Sequence, residues 1–351
     1  VRVVVAPDSV GPLSAADAGR AIADGWPLPR EVVVPLGESG AGFAQAAGDL
    51  LGGERRTVDD HLVVRTADRL VLGSRAVPVA PAAPIPEHGS SAALGRALRE
   101  CLDRADHSEP PSEVVIDLAG PDVHDGGAGL LAELGATADV DLRAGVAGLA
   151  GLTRVNLSAA RARLAGRTLV AVTDAAGCGR SLLGLRGITA ARGREAGQDA
   201  ALLLDLDARL QRWAGLLGLD DRPGAGAAGG VGAAVLALGG RLTTGPGWGA
   251  GASDLASRMR GADLVVTGCS RYDFATRGGG VVAEVARLAA DALAPCVVLA
   301  GEVMVGRREM RTMGVEAAYP VFEADPVADF RAPGAADLAA LAARVARSWR
   351  W

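Results

Sequence analysis

Short apolar runs rich in β-branched residues alternate with helix-spaced segments along most of the chain, the pattern of a mostly parallel α/β sheet. Val1 to Val5 reads as a first strand ending at Ala6-Pro7-Asp8-Ser9, and Ser14 to Ile22 follows with helical spacing behind a Ser14 cap. Val32 to Leu36 predicts a second strand that ends in Gly37-Glu38-Ser39-Gly40, before an alanine-rich helix from Phe43 to Leu51. Arg56 to Asp59, Leu62 to Thr66 and Arg69 to Leu72 alternate as antiparallel strands do, and Pro78 to Pro86 reads as a linker or crossover. The alternation then resumes with helix Ser91 to Asp103, strand Val114 to Leu118, a glycine loop from Gly120 to Gly129, and a helix to Leu134. Strand Thr168 to Val172 leads into Thr173-Asp174, and helix Asp199 to Leu217 leads into Pro223-Gly224. Strand Asp263 to Thr267 runs into Gly268 to Gly280, followed by helix Val281 to Ala290 and strand Cys296 to Ala300. Ala335 to Arg347 is an amphipathic helix.

This order predicts two α/β domains with a ligand cleft between them. One is discontinuous and Rossmann-like, built from residues 1–80 and 282–351, and the other spans 81–281. At 351 residues and 49% apolar content the chain is long enough for two packed cores. A net charge of −5, with arginines scattered among acids, argues against a nucleic-acid surface. Cys101, Cys178, Cys269 and Cys296 are far apart with no C-x-x-C pair, which suits reduced thiols in the cytoplasm better than a disulfide framework or a zinc site. No membrane span and no leader segment are expected; the uncharged run from Pro223 to Gly240 is mostly Gly and Ala and reads as a buried helix behind a glycine loop.

All 36 basic residues are arginine, so the chain has no ammonium side chain. Yet it carries glycine-rich loops of the kind that can cradle a phosphate. Asp125-Gly126-Gly127-Ala128-Gly129 lies between a predicted strand and helix, where backbone N–H groups can face an anion. The run Pro223 to Ala234 packs so many small residues before a helix that either a ligand or another helix must approach its backbone closely.

In their order these segments resemble the bacterial glycerate kinase family over almost the whole chain. Ala6-Pro7-Asp8-Ser9-Val10-Gly11 stands against A-P-D-S-F-K-G, and Gly37-Glu38-Ser39-Gly40-Ala41-Gly42-Phe43 against A-D-G-G-E-G-T. Val123-His124-Asp125-Gly126-Gly127-Ala128-Gly129 is similar to T-N-D-G-G-A-G, and Pro223 to Gly230 matches P-G-A-G-A-A-G-G outright. Thr267-Gly268-Cys269-Ser270-Arg271-Tyr272-Asp273, followed by Gly279-Gly280, meets T-G-E-G-R-I-D and G-K. The departures remove charge: Gly11, Ala196 and Gly280 stand where the motifs carry lysine, and Ala41 and Cys269 where they carry a carboxylate.

The resemblance implies an ATP- and Mg2+-dependent phosphotransferase acting on a small hydroxy acid or another anionic metabolite. Asp8, Asp125, Asp273 and Arg271 would be the catalytic residues, with Ser9, Glu38, Ser39, His124, Gly126, Gly127, Thr173, Asp174 and Cys269 around the substrate. Gly224, Ala225, Gly226, Gly229 and Gly230 would approach the nucleotide phosphates. The residues themselves leave plainer readings open: Asp8 and Asp125 as helix caps, Asp273 with Arg271 as a surface ion pair, Cys269 as a small inert residue. Three functions follow: an active kinase using arginine in place of lysine, an enzyme repurposed to a departing phosphate or sulfate, or a silent binding protein. By local pattern Trp349 and Trp351 read as unburied, which leaves a docking or homodimer contact open but unsupported by the sequence.

Overall fold

The computed structural model describes residues 1–26, 32–74, 82–104, 110–120, 122–219, 222–323 and 329–349. Twelve strands occur among them: β1 (Val3–Val5), β2 (Glu54–Val58), β3 (His61–Arg65), β4 (Arg69–Leu72), β5 (Glu113–Asp117), β6 (Thr137–Ala138), β7 (Val155–Asn156), β8 (Thr168–Thr173), β9 (Arg241–Thr244), β10 (Leu264–Tyr272), β11 (Cys296–Val303) and β12 (Ala317–Pro320). They form one parallel sheet in the order β1-β10-β11-β12, a mixed sheet in the order β2-β3-β4-β5-β8-β9, and the small antiparallel pair β6-β7.

The chain divides into two compact units. The first comprises Val1–Glu38, Gln45–Gly52 and Gly245–Trp351, and the second Ser39–Ala44 and Gly53–Thr244. The expected boundaries near residues 80 and 281 shift because hydrogen bonding, not proximity in sequence, assigns the strands. β2, β3 and β4 join β5 through the parallel β4-β5 ladder, and β10 joins β1. Pro78 to Pro81 of the expected linker lie outside the described residues.

In the first unit β1 is three consecutive valines, all buried, as a strand covered on both faces requires. Helix Ala15–Gly25 begins as expected at Ser14, whose side chain accepts from Asp17 N–H at 3.1 Å. It ends where the C-terminal helix Ala335–Ser348 crosses it: any side chain at Gly25 would overlap the Ala339 carbonyl. Trp349, expected to be unburied, packs against this core and donates from Nε1 to the Tyr319 hydroxyl at 3.0 Å. Trp351 lies outside the described residues. The strand expected at Val32 to Leu36 forms only a bridge, Val33 to Val5, with Val34 N–H bonded to Val5 and Leu36 N–H to Pro7. The second unit's largest core gathers one face of its sheet, with Val63, Leu70, Leu72, Val114, Ile116 and Ala171, together with the fully buried Trp213.

Candidate active site

The second unit turns its glycine loops toward one another. Gly126 and Gly127 have φ of +63° and +76° and lead into helix Ala128–Glu133. Asp125, fully buried, holds this turn: one carboxylate oxygen accepts from Ser91 N–H, Ser91 Oγ and Gly129 N–H at 2.8 to 3.0 Å, the other from Gly127 N–H at 2.9 Å. Burial raises its pKa, against the pull of these donors. The expected catalytic role therefore gives way to a bracing one, because the carboxylate is spent on backbone and enclosed by protein.

The loop from Gly224 to Gly230 packs against the same turn. Gly224, Gly229 and Gly230 have positive φ, and Ala228 shares that region at +47°. Three successive left-handed residues, Ala228 to Gly230, break the start of helix Ala227–Ala237. A side chain at Gly229 would overlap the Val123 carbonyl, and one at Gly230 would come within 2.6 Å of Gly126 Cα. Gly126 N–H donates to Gly229 at 3.2 Å, and Trp213 Nε1 donates to Gly126 at 2.9 Å. Ala225 is buried beneath the loop. Close packing thus accounts for much of this glycine run, while Gly226, Ala228 and Gly229 also face open space.

Two cavities meet at the loop. One, of about 310 Å³, is lined by Ser39, Thr173, Asp174, Gly177, Arg180 and the 226–228 backbone. Asp174 caps a short helix by accepting from Gly177 N–H at 2.5 Å and is otherwise exposed. Ser39 donates to Asp117 at 2.6 Å, and Gly40 N–H to the other oxygen of the same carboxylate at 2.8 Å. Asp117, at the end of β5, is fully buried, with its pKa raised by that burial. Sequence reading took this position as strand interior and missed it.

The second cavity, of about 290 Å³, holds His124, Arg192, Glu195 and again Arg180, Gly226 and Ala228. His124 is buried with Nε2 2.9 Å from Thr189 Oγ1; burial, then Arg192, depresses its pKa to about 4. The imidazole is thus held neutral against Thr189, while the Asp125 oxygens accept from Ser91, Gly127 and Gly129. Arg192 donates to Asp122 at 2.6 Å and to the carbonyls of Ala83 and Pro84. Arg194 bonds the carbonyls of Ala190 and Leu185.

In the first unit Asp8 and Ser9 follow β1. Ser9 N–H donates to Asp8 at 2.7 Å, and Asp8 N–H donates to Gly268 at 3.0 Å. Burial raises the Asp8 pKa to about 6; the Ser9 N–H opposes this and the Glu38 carboxylate adds to it. Glu38 accepts from Gly280 N–H at 2.6 Å, at the start of helix Gly279–Asp291. Cys269 is buried, and its thiol is pushed well above the usual range by burial and by Asp8, Asp273 and Glu38, which disfavours the reactive thiolate. Asp273 accepts from Thr276 N–H and Oγ1 at 2.6 and 2.9 Å, which lowers its pKa. Arg271 does not pair with it: its Nε bonds the buried Glu302 at 3.0 Å and its guanidinium lies 5.2 Å from the Phe330 ring.

A profile of the glycerate kinase family matches residues 3–350. The chain belongs to that family. An uncharacterized protein of Mycobacterium bovis is 33% identical over 99% of this chain and 91% of its own length. The glycerate 2-kinase of Escherichia coli is 26% identical over 96% of this chain and 94% of its own. A solved structure of a candidate glycerate kinase 2 from Salmonella typhimurium LT2 superposes with a TM-score of 0.77 at 26% identity, covering 99% of this chain and 97% of that one.

Against the family's motifs, each lysine position now has a structural setting. Gly11 is left-handed (φ +58°), donates to Ser270 Oγ at 2.9 Å, and has Pro333 and Ala332 3.1 to 3.3 Å from where a Cβ would stand. Ala196 closes helix Ile188–Glu195. Gly280 has ordinary room for a Cβ, 3.6 to 3.7 Å from the Glu38 carboxylate.

Proposed function

We propose that this member of the glycerate kinase family is an active ATP-dependent kinase of a small hydroxy acid, altered in its electrostatics rather than silent. Asp8 carries the reading. With a pKa near 6 it is ionised at neutral pH yet basic enough to take a hydroxyl proton. As the acceptor oxygen bonds to the γ-phosphorus and the bond to the ADP oxygen breaks, the hydroxyl proton passes to Asp8. Burial that serves no structural bond beyond the adjacent Ser9 is difficult to explain by capping alone.

Nucleotide phosphates would lie along the 226–229 backbone, and Asp174, exposed in the same cavity with one oxygen uncommitted, would contribute to holding Mg2+. Among the described residues no three acidic, histidine or cysteine side chains converge into a cage. Mg2+ fits such a site, since it is usually held by one or two carboxylates with water and substrate phosphates. The missing lysines lower transition-state stabilisation, by about 3 kcal/mol for each lost donor where nothing replaces it. Turnover below that of lysine-bearing relatives is therefore expected. The test is ADP release with D-glycerate and a panel of small hydroxy acids under saturating Mg-ATP. No acceptor-dependent release from any of them would refute the reading and return weight to a displaced phosphate or sulfate group.

A further inference from the structure

We propose that Arg180 is the cation that grips a phosphate group beside the glycine loop, a role that no motif of the family match points to in this chain. Four observations converge on it. Arg180 lines both cavities, so its side chain stands on the ridge between them. Its guanidinium makes no hydrogen bond or ion pair with any described residue, whereas Arg192 and Arg194 nearby are fully engaged. Its backbone is tied to the loop itself: Gly226 N–H donates to the Arg180 carbonyl at 2.9 Å, and Arg180 Cγ lies 2.8 Å from where a Gly226 Cβ would be. That glycine therefore brings the loop against the arginine. Finally, the left-handed run from Ala228 to Gly230 adjoins the cavity walls, and turns of this kind direct successive N–H groups into a concavity suited to an anion.

An exposed, unpaired arginine keeps its full solvation and side-chain freedom without a ligand. A bidentate bond to phosphate oxygens is what a planar guanidinium makes best, and a phosphate would draw it from the ridge onto the loop. In a chain without lysine this supplies the positive charge that the loop's N–H groups alone do not. The inference rests on the kinase reading only for the identity of the phosphate: a nucleotide's β- or γ-phosphate, or a free polyphosphate, would satisfy the same groups.

Calorimetric titration of the full chain with Mg-ATP and, separately, with inorganic tripolyphosphate tests it, using Arg180→Gln, Arg180→Lys and, as a control, Arg194→Gln. The expected result is a loss of about 10- to 100-fold in affinity for Arg180→Gln, the range for a charge-assisted hydrogen bond. Partial recovery in Arg180→Lys, no change in Arg194→Gln, and a shallower salt dependence in Arg180→Gln should accompany it. Tripolyphosphate binding that depends on Arg180, without nucleotide binding, would support the phosphate grip while removing the kinase reading. Mg-ATP binding unaffected by Arg180→Gln would overturn the assignment and leave the kinase reading in place. Absence of both kinds of binding in the unaltered chain would overturn both.

Discussion

Replacing Asp8 by Asn separates the cost of the site from its use. A carboxyl whose pKa rises from 3.8 to about 6 on folding is shifted by about 2 units, which at about 1.4 kcal/mol per unit is about 3 kcal/mol. The folded state binds the proton more tightly than the unfolded one, so the carboxyl costs nothing below pH 3.8. The cost grows as pH rises and is complete above about 6. Asparagine keeps the oxygen that accepts from Ser9 N–H and has no charge to bury. Asp8→Asn should therefore match the unaltered protein in stability near pH 3.5 and exceed it at pH 7.5 by up to about 3 kcal/mol. Over the same change, turnover should fall by about 100-fold or more, as loss of a general base entails. The assay is urea denaturation at both pH values, followed by fluorescence of Trp26 and Trp248, which are in the first unit. A stability difference that does not vary with pH, or a variant less stable at pH 7.5, would show that burial of Asp8 is not what sets its pKa.

Other perturbations test the remaining structure. Gly280→Lys introduces an ammonium on the residue next to the Glu38 carboxylate, whose charge helps raise the Asp8 pKa, so that pKa should fall and the acid limb of the pH–rate profile should move to lower pH. His124, held neutral with a folded pKa near 4 against 6.5 when unfolded, makes the second unit lose stability as pH falls from 6.5 to 4; His124→Gln should flatten that window in denaturation curves. Gly229→Ala forces a Cβ into the Val123 carbonyl at a left-handed position and should destabilise the second unit by more than about 1 kcal/mol, measured by denaturation followed through Trp213. Under native conditions iodoacetamide should modify the half-buried Cys178 ahead of the buried Cys101, Cys269 and Cys296, as peptide mapping would show.

The hydrophobic rhythm made the parallel strands and their helices legible, and even the antiparallel trio β2 to β4 lies within one or two residues of its expected place. β9, written Arg-Leu-Thr-Thr, and β12, which ends in proline, have too little apolar alternation to be read. Site legibility followed a different line. Loop positions such as Asp8 and Gly226 could be placed by motif, but motif does not report burial. Asp125 has the same letters whether it faces substrate or braces a turn, and only its four donors decide. Asp117 was hidden because its partners, Ser39 and Gly40, lie 78 and 77 residues earlier. Arg180 was hidden because being unpaired is a property of what surrounds a residue.

The first unit also carries a consequence for how the protein is made. Its opening strand has no sheet to join until residues 264–272 exist, and Arg2 N–H bonds an Asp263 carboxylate 261 residues away. Nearly all of the second unit, residues 53–244, leaves the ribosome in one uninterrupted stretch before that. Val3, Val4 and Val5 then wait for their partner strand while all of that stretch is made, a long interval for a sheet-prone segment. A permuted chain that opens in the second unit and links residue 351 to residue 1 would shorten that wait by bringing the first unit's segments together in sequence.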